Sequence, residues 1–212
     1  MRRRAVLATL ATPMAALAQG RTLPLASPVD AVHLYVIPTD GMPEALAETI
    51  ARGLTLDTGL WIKATTWAPP GALEPFPGTN QYAGEDYIAL GTRLARTLPE
   101  VSPRTYFIVL TDRDINSRSR NFRFQFSLHS PMSNTSVLSV ARLLYGSDGR
   151  PATNDVVGSR AAKMLLRIVG EMRMGWQRSG DPTDLMYAPI MSTDDIDRID
   201  LANSWRLRHK LR

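Results

Sequence analysis

Residues that could bind a metal ion or move protons are few and scattered in this chain. Its 212 residues include three histidines, His33, His129 and His209, and no cysteine. No two histidines stand four residues apart, the spacing that brings two metal ligands to one face of a helix. The lack of cysteine excludes thiolate ligands, a thiol nucleophile and disulfides. The sequence therefore contains no standard motif for a catalytic zinc ion.

A serine hydrolase is the other chemistry that the residue types allow. Ser127 and His129, with either Asp112 or Asp114, supply the three side chains of a Ser-His-Asp triad. The chain has no nucleophile-elbow motif, and these residue types are common, so the pattern is weak. The acidic run at residues 194–200 is better explained as the start and exposed face of a helix than as a calcium site.

Apolar strands and amphipathic helices alternate in the first half of the chain and must position these residues. Residues 32–37 and 106–110 are apolar, β-branched and aromatic, which is typical of buried strands. Another strand is predicted at residues 61–67. Helices are predicted at residues 43–56 and 82–98. This order predicts an α/β layer with partly parallel strands.

The second half of the chain predicts a sheet edge followed by a long helix. Apolar and polar residues alternate strictly in a segment that indicates a half-exposed edge strand, namely Phe122, Arg123, Phe124, Gln125 and Phe126. Residues 137–140 read as a short strand and residues 159–174 as the clearest helix. Ser192 begins a capping-box pattern that opens a last helix. We expect one domain over residues 32–212.

The N-terminus is typical of a signal peptide. Three arginines precede an apolar stretch at residues 5–17, and Ala16-Leu17-Ala18 forms a small-residue cleavage site. We expect residues 1–18 to be removed, by the general or the twin-arginine route, and residues 19–31 to form an extended leader. The mature protein would be periplasmic or secreted.

Loss of the signal peptide also changes the interpretation of the charge. The formal charge falls from +5 to about +2, because three of the positive charges belong to the signal. Such a small charge does not favour nucleic-acid binding. No later apolar run is long enough to cross a bilayer, so we expect no stable membrane insertion.

Seven fragments, in one order, resemble the archaemetzincins, a branch of the metzincin metallopeptidases. The resemblance covers residues 32–205, nearly the whole mature chain. The fragments are Gln81-Tyr82-Ala83, Thr111-Asp112-Arg113-Asp114-Ile115, Asn121-Phe122-Arg123-Phe124, Ser136-Val137-Leu138-Ser139-Val140-Ala141-Arg142-Leu143, Arg160-Ala161-Ala162-Lys163, Asp184-Leu185-Met186-Tyr187 and Asp197.

The resemblance implies a zincin-like α/β (α+β) fold. Its parts are a twisted mixed sheet, an active-site helix, a C-terminal helix and an edge strand that pairs with extended substrate. A methionine-containing turn lies beneath the zinc ion in this family. In this sequence the turn would contain Met186, and residues 122–126 would be the edge strand.

The zinc motif of the family, H-E-x-x-H-x-x-G-x-x-H, is missing. Alignment on Arg160 and Lys163 puts four unsuitable residues at the motif positions, namely Arg167, Ile168, Glu171 and Gln177. Arginine stays protonated and offers no lone pair to a metal, and isoleucine cannot act as a base. A shift of one residue, which aligns Gly175, gives Ile168, Val169, Met172 and Arg178 and is no better. The family's second, cysteine-ligated zinc site is also missing, so we expect no zinc cofactor.

Arg167 and Glu171 are four residues apart on the predicted helix. We therefore predict an ion pair between them that fills the space of the zinc ion near Met186. The alternative is a solvated surface pair worth only about 0.3–0.5 kcal/mol.

These observations predict a non-catalytic, archaemetzincin-like exported protein that binds extended peptides at its edge strand. One alternative is a metallopeptidase or other hydrolase with non-standard metal ligands. Another is a purely structural protein, with its cleft closed by Trp176 or by the loop at residues 68–80.

Overall fold

The computed structural model of the chain describes residues 31–119, 122–202 and 204. The predicted signal peptide (residues 1–18), nearly all of the predicted leader (residues 19–31) and His209 lie outside the described residues. In the part of the chain that is described, no helix combines the length and apolar character needed to span a membrane.

The described residues form seven strands and four α-helices. The strands are β1 (Leu34–Pro38), β2 (Ile62–Ala64), β3 (Gln81–Ala83), β4 (Tyr106–Thr111), β5 (Asp114–Asn116), β6 (Ser127–Ser130) and β7 (Thr135–Ser139). The helices are α1 (Glu44–Thr58), α2 (Gly84–Leu94), α3 (Asn154–Arg173) and α4 (Thr193–Arg198). The α/β class predicted from the sequence is confirmed.

A five-stranded mixed sheet with the strand order β2-β1-β4-β7-β6 is the centre of the fold. The first four strands are mutually parallel, and β6 pairs antiparallel with β7 at one edge. The short strands β3 and β5 form a separate parallel pair.

Helices cover both faces of the large sheet. In β1, Leu34 and Val36 belong to the core beneath α1 and α3, whereas Tyr35 and Ile37 belong to the core beneath α2. This alternation follows from the two-residue period of a strand, and it explains why β1 is apolar at every position.

Helix α3 carries the residues of most interest, and both of its ends are defined by local chemistry. The Thr153 hydroxyl accepts a hydrogen bond from the Val156 amide and caps its first turn. At the other end, Gly175 has a φ of 68° and turns the chain away. The helix starts five residues earlier than the sequence pattern indicated.

An ion pair between the buried Arg160 and the more exposed Asp197 fixes α4 against the first half of α3. Arg160 donates to both carboxylate oxygens of Asp197 at 2.7 and 2.6 Å, and also to the backbone carbonyls of Leu143 and Tyr145. Lys163 donates to the carbonyls of Ile196 and Asp197. Hydrogen-bonded charges of this kind are the ones a protein interior tolerates.

The predicted edge strand at residues 122–126 is wrong in its position. The edge strand is β6, which begins at Ser127, and only Gln125 of the predicted segment forms an isolated bridge, with Ile115. Side-chain amides take up the backbone carbonyls of this segment: Asn116 donates to Phe122 and Gln81 donates to Arg123. These carbonyls are therefore already bonded and do not extend the ladder.

Candidate functional site

A cleft of about 470 Å³ lies between β6 and α3, and we call it the helix cleft. Its lining comes from the edge strand and the segment before it, from α3 and from the segment after Tyr187. The lining residues are Phe122, Arg123, Phe124, Gln125, Phe126, Ser127, Leu128, His129, Pro131, Met164, Arg167, Glu171, Met172, Arg178, Ala188, Pro189, Ile190 and Met191. All five residues of the predicted edge segment therefore line this cleft, although they do not form the edge strand.

Arg167 points from α3 into the base of the helix cleft. It is 8% exposed, and its Nη1 donates a hydrogen bond of 3.1 Å to the backbone carbonyl of Leu185. Burial lowers the pKa of the guanidinium, the nearby Glu171 carboxylate opposes this, and Arg178 adds to it. The side chain is thus turned toward the turn that precedes Met186 and away from bulk solvent.

The predicted methionine turn is a tight, buried turn under α3. The Met186 amide donates to Oδ1 of Asp184 at 2.6 Å, and the Tyr187 amide donates to the Asp184 carbonyl. Met186 itself is fully buried. The Leu185 amide donates to the Ser204 hydroxyl at 2.8 Å, so Leu185 is held by α3 on one side and by the C-terminal segment on the other.

The ion pair that we predicted between Arg167 and Glu171 is not formed. Glu171 pairs instead with Arg178, whose Nε and Nη2 lie 3.0 and 2.9 Å from the same carboxylate oxygen. Arg178 is the more exposed partner. The chain therefore brings Arg167, Glu171 and Arg178 to one cleft, with a net charge of +1.

The remaining positions of the missing motif lie outside the cleft lining. Ile168 is 1% exposed and belongs to the apolar core, and Gln177 is exposed and donates to the Gly175 carbonyl. The third cleft residue, Arg178, belongs to the other alignment of the motif. The sequence analysis missed this combination because Arg167 and Glu171 belong to one alignment of the motif and Arg178 to the other.

The outer edge of β6 carries no partner strand among the described residues. The Ser139 amide donates to the Phe126 carbonyl. In an antiparallel pair of strands, residues that hydrogen-bond to the neighbouring strand alternate with residues that do not. The backbone N–H and C=O groups of Ser127 and His129 therefore point away from β7. They form an edge on which an extended chain can pair.

A line of hydrogen-bonded side chains runs from this edge strand into the sheet. Ser127 Oγ lies 3.2 Å from His129 Nε2, His129 Nδ1 lies 2.7 Å from Ser136 Oγ, and Ser136 Oγ lies 2.8 Å from the Tyr106 hydroxyl. Burial lowers the pKa of His129 to about 4, an effect that Glu171 opposes and the two arginines reinforce. The imidazole is thus neutral at physiological pH.

The triad suggested by the sequence is only half assembled. Ser127 and His129 do meet, but Ser136 takes the place at Nδ1 that an acid would have. Asp114 pairs with Arg142, and Asp112 accepts a hydrogen bond from the Gly41 amide. His33, the other described histidine, accepts a hydrogen bond from the Trp61 amide and has a structural role.

A larger cleft of about 1180 Å³ lies where β1, β4 and β7 end, and we call it the carboxyl-end cleft. Its principal charges are matched within the protein. Arg113 Nε lies 2.8 Å from Oδ1 of the buried Asp40, and Tyr87 and Thr111 donate to Oδ2 of the same carboxylate. Arg142 is paired with Asp114. These contacts explain the charged groups as structural.

The zinc ion that the fold family implies does not fit the residues at the base of the helix cleft. Arg167 and Arg178 are hydrogen-bond donors only, and the one carboxylate, Glu171, accepts from Arg178. Across the described residues, no group of three or more histidine, cysteine or acidic side chains could hold a metal ion. No step of a zinc-peptidase mechanism can be assigned to these side chains.

No protein-family model and no curated protein matches this sequence. Solved structures do match. A zinc-dependent peptidase from Methanocorpusculum labreanum superposes with a TM-score of 0.61 at 17% identity, over 82% of this chain and 98% of that one.

Two archaemetzincin structures give the same result. The protein from Archaeoglobus fulgidus, complexed with malonate, has a TM-score of 0.58 at 18% identity, over 78% of this chain and 91% of that one. The protein from Methanopyrus kandleri has a TM-score of 0.57 at 20% identity, over 89% of this chain and 100% of that one. The chain has an archaemetzincin-like, metallopeptidase-like fold.

Proposed function

We propose that this protein is a non-catalytic relative of the archaemetzincins, exported to the periplasm or secreted, whose helix cleft binds an extended peptide along β6. The observation that carries the proposal is the outer edge of β6, which has no partner strand among the described residues and lies beside a cleft with apolar and charged side chains. An edge strand of this kind can accept a peptide as an additional strand, with alternate side chains entering the cleft. The export rests on the basic and apolar N-terminus.

The side chains at the base of the cleft support the absence of zinc chemistry. Arg167 and Arg178 cannot donate a lone pair to a metal. Ile168, at the position of the motif glutamate, lies in the apolar core outside the cleft and cannot act as a base. Metal analysis of the purified mature protein tests this part directly. We expect less than about a tenth of a zinc ion per chain after dialysis, and stoichiometric zinc would contradict the proposal.

Peptide binding along β6 can be tested by removing one outward N–H group. A proline on an edge strand is tolerated where its nitrogen faces solvent. We expect Ser127→Pro to weaken the binding of extended peptides about tenfold or more, because one interstrand hydrogen bond and the local fit are lost. Calorimetric titration with a library of short peptides provides the measurement.

Ser127→Ala is the matched control for this experiment. It removes the hydroxyl but keeps the backbone N–H, so we expect it to bind peptides like the unsubstituted protein. Equal losses in both variants would assign the effect to the side chain and contradict strand pairing.

A hydrolase is the second candidate, in either of two forms. The metal-dependent form has non-standard ligands and is tested by the metal analysis. The serine form is favoured by the contact of Ser127 Oγ with His129 Nε2. A base with a pKa of about 4 accepts a proton poorly at pH 7, and Ser136 offers no negative charge to stabilise an imidazolium ion. We therefore expect no labelling of Ser127 by a fluorophosphonate, whereas labelling that Ser127→Ala abolishes would favour the hydrolase.

A further inference from the structure

Arg167 is a buried cation that forms no salt bridge with another described residue. It is 8% exposed, and none of the salt bridges among the described residues includes it. A charge removed from water is costly unless it is paired and hydrogen-bonded. Arginine cannot lower this cost by releasing its proton. A group with this cost and no carboxylate in salt-bridge contact among the described residues is suited to an anion that comes from outside.

The guanidinium has a free side that matches a carboxylate. Its one hydrogen bond to the described part of the protein uses Nη1 and reaches the Leu185 carbonyl. Nε and Nη2 remain, and this pair of parallel N–H groups fits the two oxygens of a carboxylate. Because the Arg167 side chain lines the helix cleft, a ligand in the cleft can reach it.

The surrounding charges favour an anion over a cation. Glu171 is neutralised by its two hydrogen bonds from Arg178. Arg178, whose side chain is 63% exposed, uses its charge in this pairing. His129 on the opposite wall is neutral, because burial lowers its pKa to about 4. Arg167, Glu171 and Arg178 together therefore keep a net charge of +1 in the cleft, which favours an anionic ligand.

The other walls of the cleft are apolar near Arg167. Met164 comes from the preceding turn of α3, and the opposite segment contributes Pro189, Ile190 and the exposed Met191. Such a lining fits a carboxylate that is carried by a chain with apolar side chains, and it disfavours a strongly hydrated inorganic anion.

We infer that Arg167 binds a carboxylate of the peptide that lies along β6, with Arg178 as a second, more exposed contact. The inference rests on the proposed function and deepens it, because it names the chemistry that the cleft selects. The carboxylate has two sources, the C-terminus of a peptide or an aspartate or glutamate side chain, and the two are distinguished by the choice of peptide.

The test uses three blocked peptides and calorimetric titration of the mature protein. The first is N-acetyl-Ala-Ala-Leu with a free carboxylate, the second is the same peptide as its C-terminal amide, and the third is the amide N-acetyl-Ala-Glu-Leu. We expect the first or the third peptide to bind at least tenfold more tightly than the second, and the tighter of the two identifies the source. Equal binding of all three would overturn the carboxylate inference while leaving strand pairing intact.

Variants then assign the effect to Arg167. Arg167→Met should abolish the preference for the carboxylate, and Arg178→Met should reduce it only several-fold. Arg167→Lys keeps the charge without the paired N–H groups and should give an intermediate loss, which also covers the case in which Arg167→Met fails to fold. A preference that survives in both Arg167 variants would overturn the assignment.

Failure of all three peptides to bind would contradict the proposed function, and one further titration would then decide the inference. N-acetyl-leucine carries the carboxylate and one apolar side chain but cannot pair along a strand. If it binds the unsubstituted protein and not Arg167→Met, the carboxylate site stands without strand pairing. If it does not bind, the inference is wrong as well.

Discussion

The two halves of α3 each carry one buried arginine, and the two are held in different ways. Arg160 and Arg167 are 4% and 8% exposed and lie two helical turns apart, about 10 Å along one face. Arg160 has a carboxylate on two of its nitrogens and two backbone carbonyls on a third. Among the described residues, Arg167 donates to one carbonyl and to no carboxylate.

The difference separates a group that assembles the fold from a group that is available to a ligand. The Arg160 contacts join α3 to α4 and to the segment after β7, so their loss should be measured as lost stability. The single contact of Arg167 leaves hydrogen-bonding capacity facing the helix cleft. Substitution of Arg167 should therefore reduce ligand binding rather than stability.

The largest effect is expected from Asp197→Ala, which leaves Arg160 buried without its anion. Breaking one side of such a pair costs several kcal/mol, and because Asp197 is 41% exposed we expect about 3 kcal/mol here. Urea denaturation gives the free energy of unfolding. Asp194→Ala, an exposed acid on the same helix, is the control and should cost less than about 1 kcal/mol. A similar loss in both variants would remove the special role of the Arg160 pair.

Asp57 is a partly buried acid that lines neither cleft, and it shows how a poorly solvated charge affects stability. It lies in the last turn of α1, one of its oxygens is buried without a hydrogen-bond partner, and burial raises its pKa to about 6. Because the folded state then binds its proton more tightly than the unfolded chain, stability falls as the pH rises from about 4 to 6. We expect Asp57→Asn to stabilise the protein by about 2 kcal/mol at pH 7 and hardly at all near pH 4.

Thermal or urea unfolding at the two pH values measures this effect. The exposed Glu48→Gln on the same helix is the control, and its effect should stay within about 0.5 kcal/mol at both pH values. A stabilisation by Asp57→Asn that is independent of pH would contradict the electrostatic origin.

Gly170 tests how the second half of α3 is packed. A Cβ atom at this position would lie 2.2 Å from Cε3 of Trp176, a distance that requires the ring to move. Gly170→Ala should therefore cost about 1–2 kcal/mol, although alanine is normally the better helix former. In a Trp176→Ala background the same substitution should become neutral or stabilising. A loss of the same size in both backgrounds would show that Trp176 is not the cause.

The smallest effect on stability is expected from Arg167→Met, and it makes the comparison of the two arginines sharpest. Replacement of a buried charge by an apolar side chain of similar length is often neutral or favourable, and only one carbonyl, that of Leu185, loses its donor, so we expect a change within about 1 kcal/mol. Arg160→Met, the matched substitution, should cost about 2 kcal/mol, because the carbonyls of Leu143 and Tyr145 also lose their donor. Equal losses at the two positions would make Arg167 a structural residue.

Long, strongly periodic segments explain how much of the fold was predictable. The strands β1 and β4 and the helices α1 and α3 are long or uniformly apolar, and the Ser192 capping box is a local signal that the structure confirms. The strands β3 and β5 have three residues each, too few for a period to be recognised. The alternating segment at residues 122–126 was assigned as the edge strand because periodicity does not reveal that Gln81 and Asn116 bind its carbonyls.

The candidate site was predictable only where a helix determines its geometry. Arg167 and Glu171 lie on one face of α3, which their spacing of four residues required. Arg178 follows the helix end at Gly175, where the number of residues needed to return to the cleft depends on tertiary structure. The choice of Arg178 rather than Arg167 as the partner of Glu171 therefore could not be derived from spacing.

The hydrogen bond from Arg167 to the Leu185 carbonyl joins α3 to the buried turn at Met186, and both of its partners belong to one polypeptide. A junction made through a dissociable ion weakens when that ion is scarce, chelated or displaced by acid. A junction between covalently connected groups has an effective concentration set by the chain itself. This contact between α3 and the turn is therefore independent of how much free metal the surroundings contain.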